Sequence, residues 1–264
     1  MPDSEGSPRC GTSPPTGDSP EVVVDPAAAS RQPEAADLSS ANSREPAERP
    51  AEAIRRHGIK LQPEEIQLLE RYCDLLWDWN TKLNLTRHND AEAFVTRDLV
   101  DTRRLAAQIG QGLRVLDIGS GGGVPGIPLA ILRPDLNITL AESVQKKSAV
   151  LQTMVKALRI RVAVQADRAE NVLRRQKFDV VTARAVAPLP KILTWLQPVW
   201  KSTGQLLLIK GQNWTAEREL AAAAGQLDQL QLTVVDSWPT VGRDSDSVLL
   251  RVCRRGANAA AGGR

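Results

Sequence analysis

The tightest constraint on the fold is the stretch Val115-Leu-Asp-Ile-Gly-Ser-Gly-Gly-Gly-Val-Pro-Gly126. Leu113, Val115, Leu116 and Ile118 form an apolar, partly β-branched run that ends on a cluster of glycines. A second apolar run, Ile127 to Leu132, follows and is closed by Pro134. Periodicity and breakers together predict strand, tight turn, helix. Glycine allows positive φ and lets a ligand lie against bare backbone. Pro125 suits the helix start, where a missing N–H costs nothing.

The stretch has two spellings. Gly121-x-Gly123-x-x-Gly126 is the dinucleotide fingerprint. Asp117-x-Gly119-x-Gly121-x-Gly123 instead sets a carboxylate at the strand end, just before the glycines. That charge repels a pyrophosphate but suits a sulfonium cofactor, which carries no phosphate and has an amino-acid end to hold. Glu142 ends the next apolar run, Ile138-Thr-Leu-Ala-Glu142, where a ribose-binding acid belongs in a Rossmann-like unit. The plain alternative is a βα turn with no ligand.

A chain of 264 residues holds one medium α/β domain plus extensions. Residues 1–52 carry four Lys and Arg against ten Asp and Glu, a net of −6, with no aromatic residue. So little apolar surface cannot offset chain entropy, and a disordered acidic tail is expected there. The remainder carries thirty against twenty-one, a net of +9. A basic fold suits a polyanion such as RNA, although an ordinary solvated surface accounts for the charge equally well.

Cys10, Cys73 and Cys253 are scattered, and His57 and His88 are the only histidines. Neither a disulfide framework nor a zinc site is expected, and a reducing cytoplasm fits. No apolar run reaches membrane-spanning length. The opening Met-Pro-Asp-Ser-Glu lacks the basic start and apolar core of a secretory signal.

A helical extension is expected over 53–110. Pro63-Glu-Glu opens one helix with acids in its first turn. Ile66, Leu69, Cys73, Leu76, Asn80 and Leu83 give it a buried stripe, and Trp77 and Trp79 read as packing residues. Asn84-Leu-Thr86 reads as a connector, and a second helix is expected from Asp90 to Ile109.

The sheet domain is expected over 111–254, with 255–264 a frayed tail. Strands are predicted near 113–118, 137–142, 160–165, 178–183, 204–210, 230–238 and 246–253. Helices at 124–132, 144–158, 168–174, 188–200 and 215–225 alternate with the first five. Such alternation means a doubly wound, mostly parallel sheet. No helix fits between the last two strands, which should pair as an antiparallel hairpin.

Ligands bind outside the carboxyl ends of such strands. The residues due there are Gly119 to Val124, Glu142, Asp167 to Glu170, Arg184 and Lys210. Each has a structural alternative: Glu142, Asp167 or Glu170 as a helix cap, Arg184 as a salt bridge, Lys210 as a surface charge.

Trp79-Asn-Thr-Lys-Leu-Asn84-Leu-Thr86 and Val115 through Gly126-Ile-Pro-Leu-Ala130 carry a family resemblance. Lys146-Lys147, Arg168-Ala-Glu170, Phe178-Asp179, Arg184-Ala-Val-Ala and Leu208-Ile-Lys-Gly-Gln212 continue it in order. Over roughly 54–253 the chain resembles the RsmG (GidB) family, bacterial 16S ribosomal RNA guanine-N7 methyltransferases that use S-adenosylmethionine. The resemblance implies a Rossmann-like class I methyltransferase fold. It also implies cofactor contacts at Gly119, Val124, Ala169 and Glu170, with Arg184 at the junction of cofactor and substrate; Asp117, Gly121 and Glu142 are expected contacts from the glycine pattern and the strand spacing read above. The implied partner is 16S ribosomal RNA or the small ribosomal subunit, with no metal and no membrane, for a cytoplasmic monomer.

Two departures stand out. Many members read Arg-His-x-x-Asp-Ser in the second helix, where this chain has Arg97-Asp98-Leu-Val-Asp101-Thr102. Asp244-Ser-Asp-Ser247 stands where a Glu-Arg-His is frequent.

Guanine N7 has an in-plane lone pair and no proton to lose. Attack on a methyl group therefore needs alignment rather than a general base or a nucleophilic side chain. Arg184 and Lys210 are the candidates to position the guanine or its phosphate. The rival readings are a methyltransferase of another substrate class, a nicotinamide oxidoreductase, and a non-catalytic RNA-binding protein.

Overall fold

The computed structural model describes residues 48–242 and 244–256. Most of the acidic tail, positions 1–47, and the end of the chain, 257–264, lie outside the described residues. Helix α1 covers Pro50–Arg56, with proline in its first turn. Arg49, ahead of it, pairs with Glu70 and Asp74.

Helix α2 (Pro63–Asn80) starts at a capping box between Gln62 and Glu65 and buries Leu69, Tyr72, Cys73 and Leu76. The expected second helix is interrupted. α3 (Ala91–Ala93) runs into a π-helical turn at Phe94–Leu99 and then α4 (Val100–Ala106). The wider turn brings Asp98 inward among Phe94, Val95 and Leu99. Insertions of this kind gather at functional sites.

The sheet has seven strands: β1 (Arg114–Ile118), β2 (Asn137–Ala141), β3 (Val162–Gln165), β4 (Phe178–Arg184), β5 (Thr203–Lys210), β6 (Leu230–Pro239) and β7 (Asp246–Arg254). Their order is β3-β2-β1-β4-β5-β7-β6. The first five are parallel, and β7 is antiparallel to both β5 and β6. The expected terminal hairpin is therefore present, with β7 inserted next to β5 and β6 at the edge.

Alternation along the strands feeds two cores. Val115, Ile138, Leu140, Val180, Leu207 and Leu249 face a core shared with α1, α2, the π turn, α4, α5 (Gly126–Leu132) and α6 (Gln145–Leu158). Leu116, Ile118, Val181, Leu206, Leu208 and Leu250 face α7 (Ala169–Arg175), α8 (Leu189–Leu196) and α9 (Trp214–Ala223). The N-terminal helices thus complete one of the two faces of the sheet rather than forming a core of their own. The strand order reverses between β1 and β4, and the carboxyl ends of these strands open a crevice there.

Candidate active site

The glycine loop leaves β1 and turns into α5. Gly119, Gly121 and Gly123 have φ of 62°, 55° and 98°, the left-handed region that a side chain enters at a cost. Gly119 and Ser120 donate their N–H groups to the Ala141 carbonyl, which ties the loop to the end of β2. A Cβ at Gly119 would fall 2.8 Å from a Val186 methyl. The N-terminal layer presses on the same loop, with Leu76 and Leu85 against Gly122.

A cavity of about 360 Å³ opens beside this loop. Ile118, Gly119, Ala141 and Ser143 form one wall, and Asp167 through Glu170 another. Val186, Lys191 and Trp195 close it from the far side. The volume and the mix of bare backbone, apolar side chains and acids suit a nucleoside.

Gly119, Ala169 and Glu170, expected from the sequence, meet in this cavity. Glu142 is buried beside it and already engaged. Its Oε2 accepts from Gly121 N at 2.9 Å and its Oε1 from Val144 N at 2.8 Å. The bond to Val144 N reaches the residue ahead of α6 rather than the helix's own amides, and the bond to Gly121 N fixes the glycine loop. Each oxygen keeps a second lone pair for a hydroxyl donor. Asp167 braces the turn into α7, accepting from Arg168 N and Asn171 Nδ2 and pairing with Arg175, without accepting from the helix's own amides.

Asp117, Val124, Lys210 and Arg184 do not line the cavity, and Gly121 and Glu142 stand beside it. Asp117 is 1% exposed and does not line the cavity. β1 alternation turns it to the opposite face, where its Oδ1 accepts from the Thr182 hydroxyl at 2.9 Å. Its Oδ2 is buried without a hydrogen bond, and burial pushes the carboxyl up to about 6. Val124 is half-buried against the N-terminal core. Lys210 donates to the Ala187 carbonyl at 2.8 Å and pairs with Glu217 at 2.6 Å. Glu217 also accepts from Leu189 N, so Lys210 braces the loop after β4 rather than facing the cavity.

Arg184 ends β4 on the same face as Thr182 and Asp117. The chain turns at once, because Ala185 has φ of 55°, a conformation alanine adopts under strain. Arg184 Nη1 lies 2.7 Å from Asp98 Oδ1 and 3.0 Å from Asp101 Oδ2. The salt bridge named as its alternative is therefore formed. Burial disfavours the guanidinium charge, but Asp98 and Asp101 raise its pKa further than burial lowers it. Burial also works against charge on Asp98, yet Arg184 and His88 hold that carboxyl below the usual range. Burial prevails at Asp101 and pushes it up.

Sequence reasoning missed Ser143, Val186, Lys191 and Trp195. Lys191 and Trp195 stand one turn apart on α8, with the ammonium 5.5 Å from the ring centroid. That spacing was visible, but nothing in it said which face of α8 meets the cavity. The roles of His88 and Trp238, described below, were also missed.

The family model described as GidB, rRNA small subunit methyltransferase G, matches residues 65–244. Ribosomal RNA small subunit methyltransferase G of Rhodopirellula baltica is 45% identical over 187 residues, covering 71% of this chain and 81% of that protein. The Roseiflexus sp. protein of the same name is 40% identical over 188 residues, covering 69% and 80%. Among solved structures, the O-methyltransferase from Bacillus cereus in complex with SAH superposes with a TM-score of 0.51 at 15% identity, covering 76% of this chain and 95% of that one. That likeness concerns the fold, which is the Rossmann-like methyltransferase architecture. With a family match across most of its described length and relatives this similar, the chain belongs to the GidB family of small-subunit ribosomal RNA methyltransferases.

Proposed function

We propose that this protein transfers the methyl group of S-adenosylmethionine to N7 of a guanine in 16S ribosomal RNA. The observation that carries the proposal is the crevice at the strand-order reversal. The glycine loop and the Asp167–Glu170 turn enclose a nucleoside-sized cavity there, the Glu142 carboxylate is buried beside it, and Arg184 ends the adjacent strand β4.

Gly119, Ala169 and Glu170 would hold the adenosine, and Glu142 would accept from the ribose while keeping the loop in shape. Gly121 and Val124 shape the loop, and Asp117 acts from beneath it as a buried negative centre. The bound cofactor supplies a methyl group made electrophilic by its sulfonium. The protein's own task is alignment, because N7 attacks with a lone pair and loses no proton. For the same reason no metal ion is needed as a Lewis acid. Arg184 offers guanidinium N–H groups to guanine O6, which leaves the N7 lone pair free to meet the methyl carbon. Lys210 contributes by bracing the Ala185–Leu189 turn that carries the strand end.

All of these residues come from one chain, so a monomer suffices. The cytoplasm, where small ribosomal subunits assemble, is the place of action. No helix among the described residues is long and apolar enough to cross a membrane.

The test maps N7-methylguanine in small-subunit RNA from cells with and without the protein, alongside calorimetry with S-adenosylhomocysteine. The expected result is one modified guanine lost in the deletion strain and restored by complementation, with saturable binding of the demethylated cofactor. Methylation of some other substrate in place of the RNA, or no uptake of the cofactor, overturns the proposal.

A further inference from the structure

Arg184 does not form the closed, two-pronged pair that a guanidinium ordinarily makes with a carboxylate. Both acids meet a single nitrogen, Nη1. The remaining N–H groups, on Nε and Nη2, make no hydrogen bond to a described residue and are not among the sealed, unpaired polar atoms. The side chain is 16% exposed. Arg184 is therefore gripped at one corner, with the rest of its fork left open.

Each acid of the grip is held from behind. His88 Nδ1 lies 2.7 Å from Asp98 Oδ1, and an ionised carboxylate can only accept, so the Nδ1–H donates. Trp238 Nε1 donates to Asp101 Oδ1 at 3.1 Å. Asp98 Oδ2 is buried with no partner among the described residues, of which only His88 and Arg184 balance this carboxylate.

His88 is itself pinned. Its carbonyl accepts from Trp77 Nε1 at 3.0 Å, and its N–H donates to the Thr86 hydroxyl at 3.0 Å. Asn80 holds the preceding turn by accepting from Leu85 N and Thr86 N. The connector thus brings an imidazole to a buried acid of the π-helical turn.

We propose that His88 and Trp238 are positioning residues, which act through Asp98 and Asp101 to hold Arg184 with its open N–H edge toward the substrate guanine. The proposal rests on the assignment of Arg184 to substrate positioning made above. Without His88, Asp98 would keep one partner and draw the guanidinium inward. Without the Trp238 N–H, Asp101 would loosen. Either change turns the open edge away from a purine that must be aligned.

The experiment measures methylation of purified small ribosomal subunits by wild type, R184A, H88A, H88N and W238F. Thermal melting and calorimetry with S-adenosylhomocysteine accompany it. Asn places an amide nitrogen close to where Nδ1 stood, and Phe keeps the Trp238 packing without its N–H. H88A and W238F are expected to lose about tenfold in kcat, with KM for the subunit and cofactor affinity within about twofold of wild type. H88N is expected to recover most of the rate.

Wild-type rates in H88A and W238F together with an inactive R184A overturn the positioning proposal and leave the Arg184 assignment standing. A wild-type rate in R184A overturns that assignment instead. Equal losses in H88A and H88N, in step with lowered melting temperatures, also overturn the proposal, because they mark a purely structural contact.

Discussion

The hydroxyl of Tyr72, fully buried in α2, donates to the carbonyl of Gly122 at 2.9 Å and so joins the N-terminal helical layer to the glycine loop. Tyr72→Phe would keep the ring against Phe94 but strand a buried carbonyl, at a cost of about 1–3 kcal/mol. The loop would lose a tether on the side away from the cavity. A lower melting temperature and weaker binding of S-adenosylhomocysteine are expected together. A variant unchanged in both would show that the layer merely covers the loop.

Gly126 satisfies the third glycine of the dinucleotide spelling for a packing reason. A Cβ there would run into the Leu140 side chain and come within 3.0 Å of Asp117 Oδ2. Gly126→Ala must displace the buried Leu140 side chain or shift α5, so a loss of about 1–3 kcal/mol in urea unfolding is expected. The same substitution at Gly211, where an added Cβ meets nothing, is the control. Equal effects at both positions would contradict the close approach of α5 to β1.

Asp117 makes stability depend on pH in a defined direction. Its carboxyl is raised by burial from 3.8 to about 6 in the fold, so the folded state favours the protonated form. That contribution is fully present below about pH 4 and is lost as the pH rises through 6, a change on the order of 3 kcal/mol. Asp117→Asn does not titrate. The stability of wild type relative to D117N should fall between pH 4 and pH 7 in urea unfolding of the ligand-free protein. A difference that stays flat across that range would mean Asp117 is not held in a dry site.

Local chemistry made the fold legible. The β1 alternation, the glycine cluster, the Pro63-Glu-Glu helix start and the lack of room between β6 and β7 each have one simple structural outcome, and each outcome is found. The π turn was not legible, because Phe94, Val95 and Leu99 fit an ordinary helical stripe and only packing reveals the wider turn. At the site, main-chain geometry was readable and side-chain direction was not. Asp117 sits at the right strand end, but a period of two turns it away from the cavity. Lys210 sits at the end of β5, yet Glu217, seven residues on, captures its ammonium. His88 and Trp238 reach Arg184's acids from distant segments, a juxtaposition that no local spacing records.

Glu142 allows its backbone contacts and a ribose contact to be separated by experiment. Its two oxygens accept from Gly121 N and Val144 N, so both roles run through one carboxylate. In Glu142→Gln one oxygen still accepts, while the amide nitrogen faces a backbone N–H as donor against donor. Loss of a backbone contact alone lowers the melting temperature and leaves the affinity of the folded protein for S-adenosylhomocysteine nearly unchanged. Loss of a ribose contact also weakens binding, by about tenfold or more for a hydrogen bond to a charged group. An analogue lacking the ribose 2′ and 3′ hydroxyls decides between these outcomes. If Glu142 accepts from the ribose, E142Q weakens the parent ligand far more than the dideoxy analogue, because the analogue has no donor to lose. Equal weakening of both ligands would make Glu142 a support of the glycine loop and remove it from the binding site, and calorimetry of the two proteins with the two ligands reads that coupling directly.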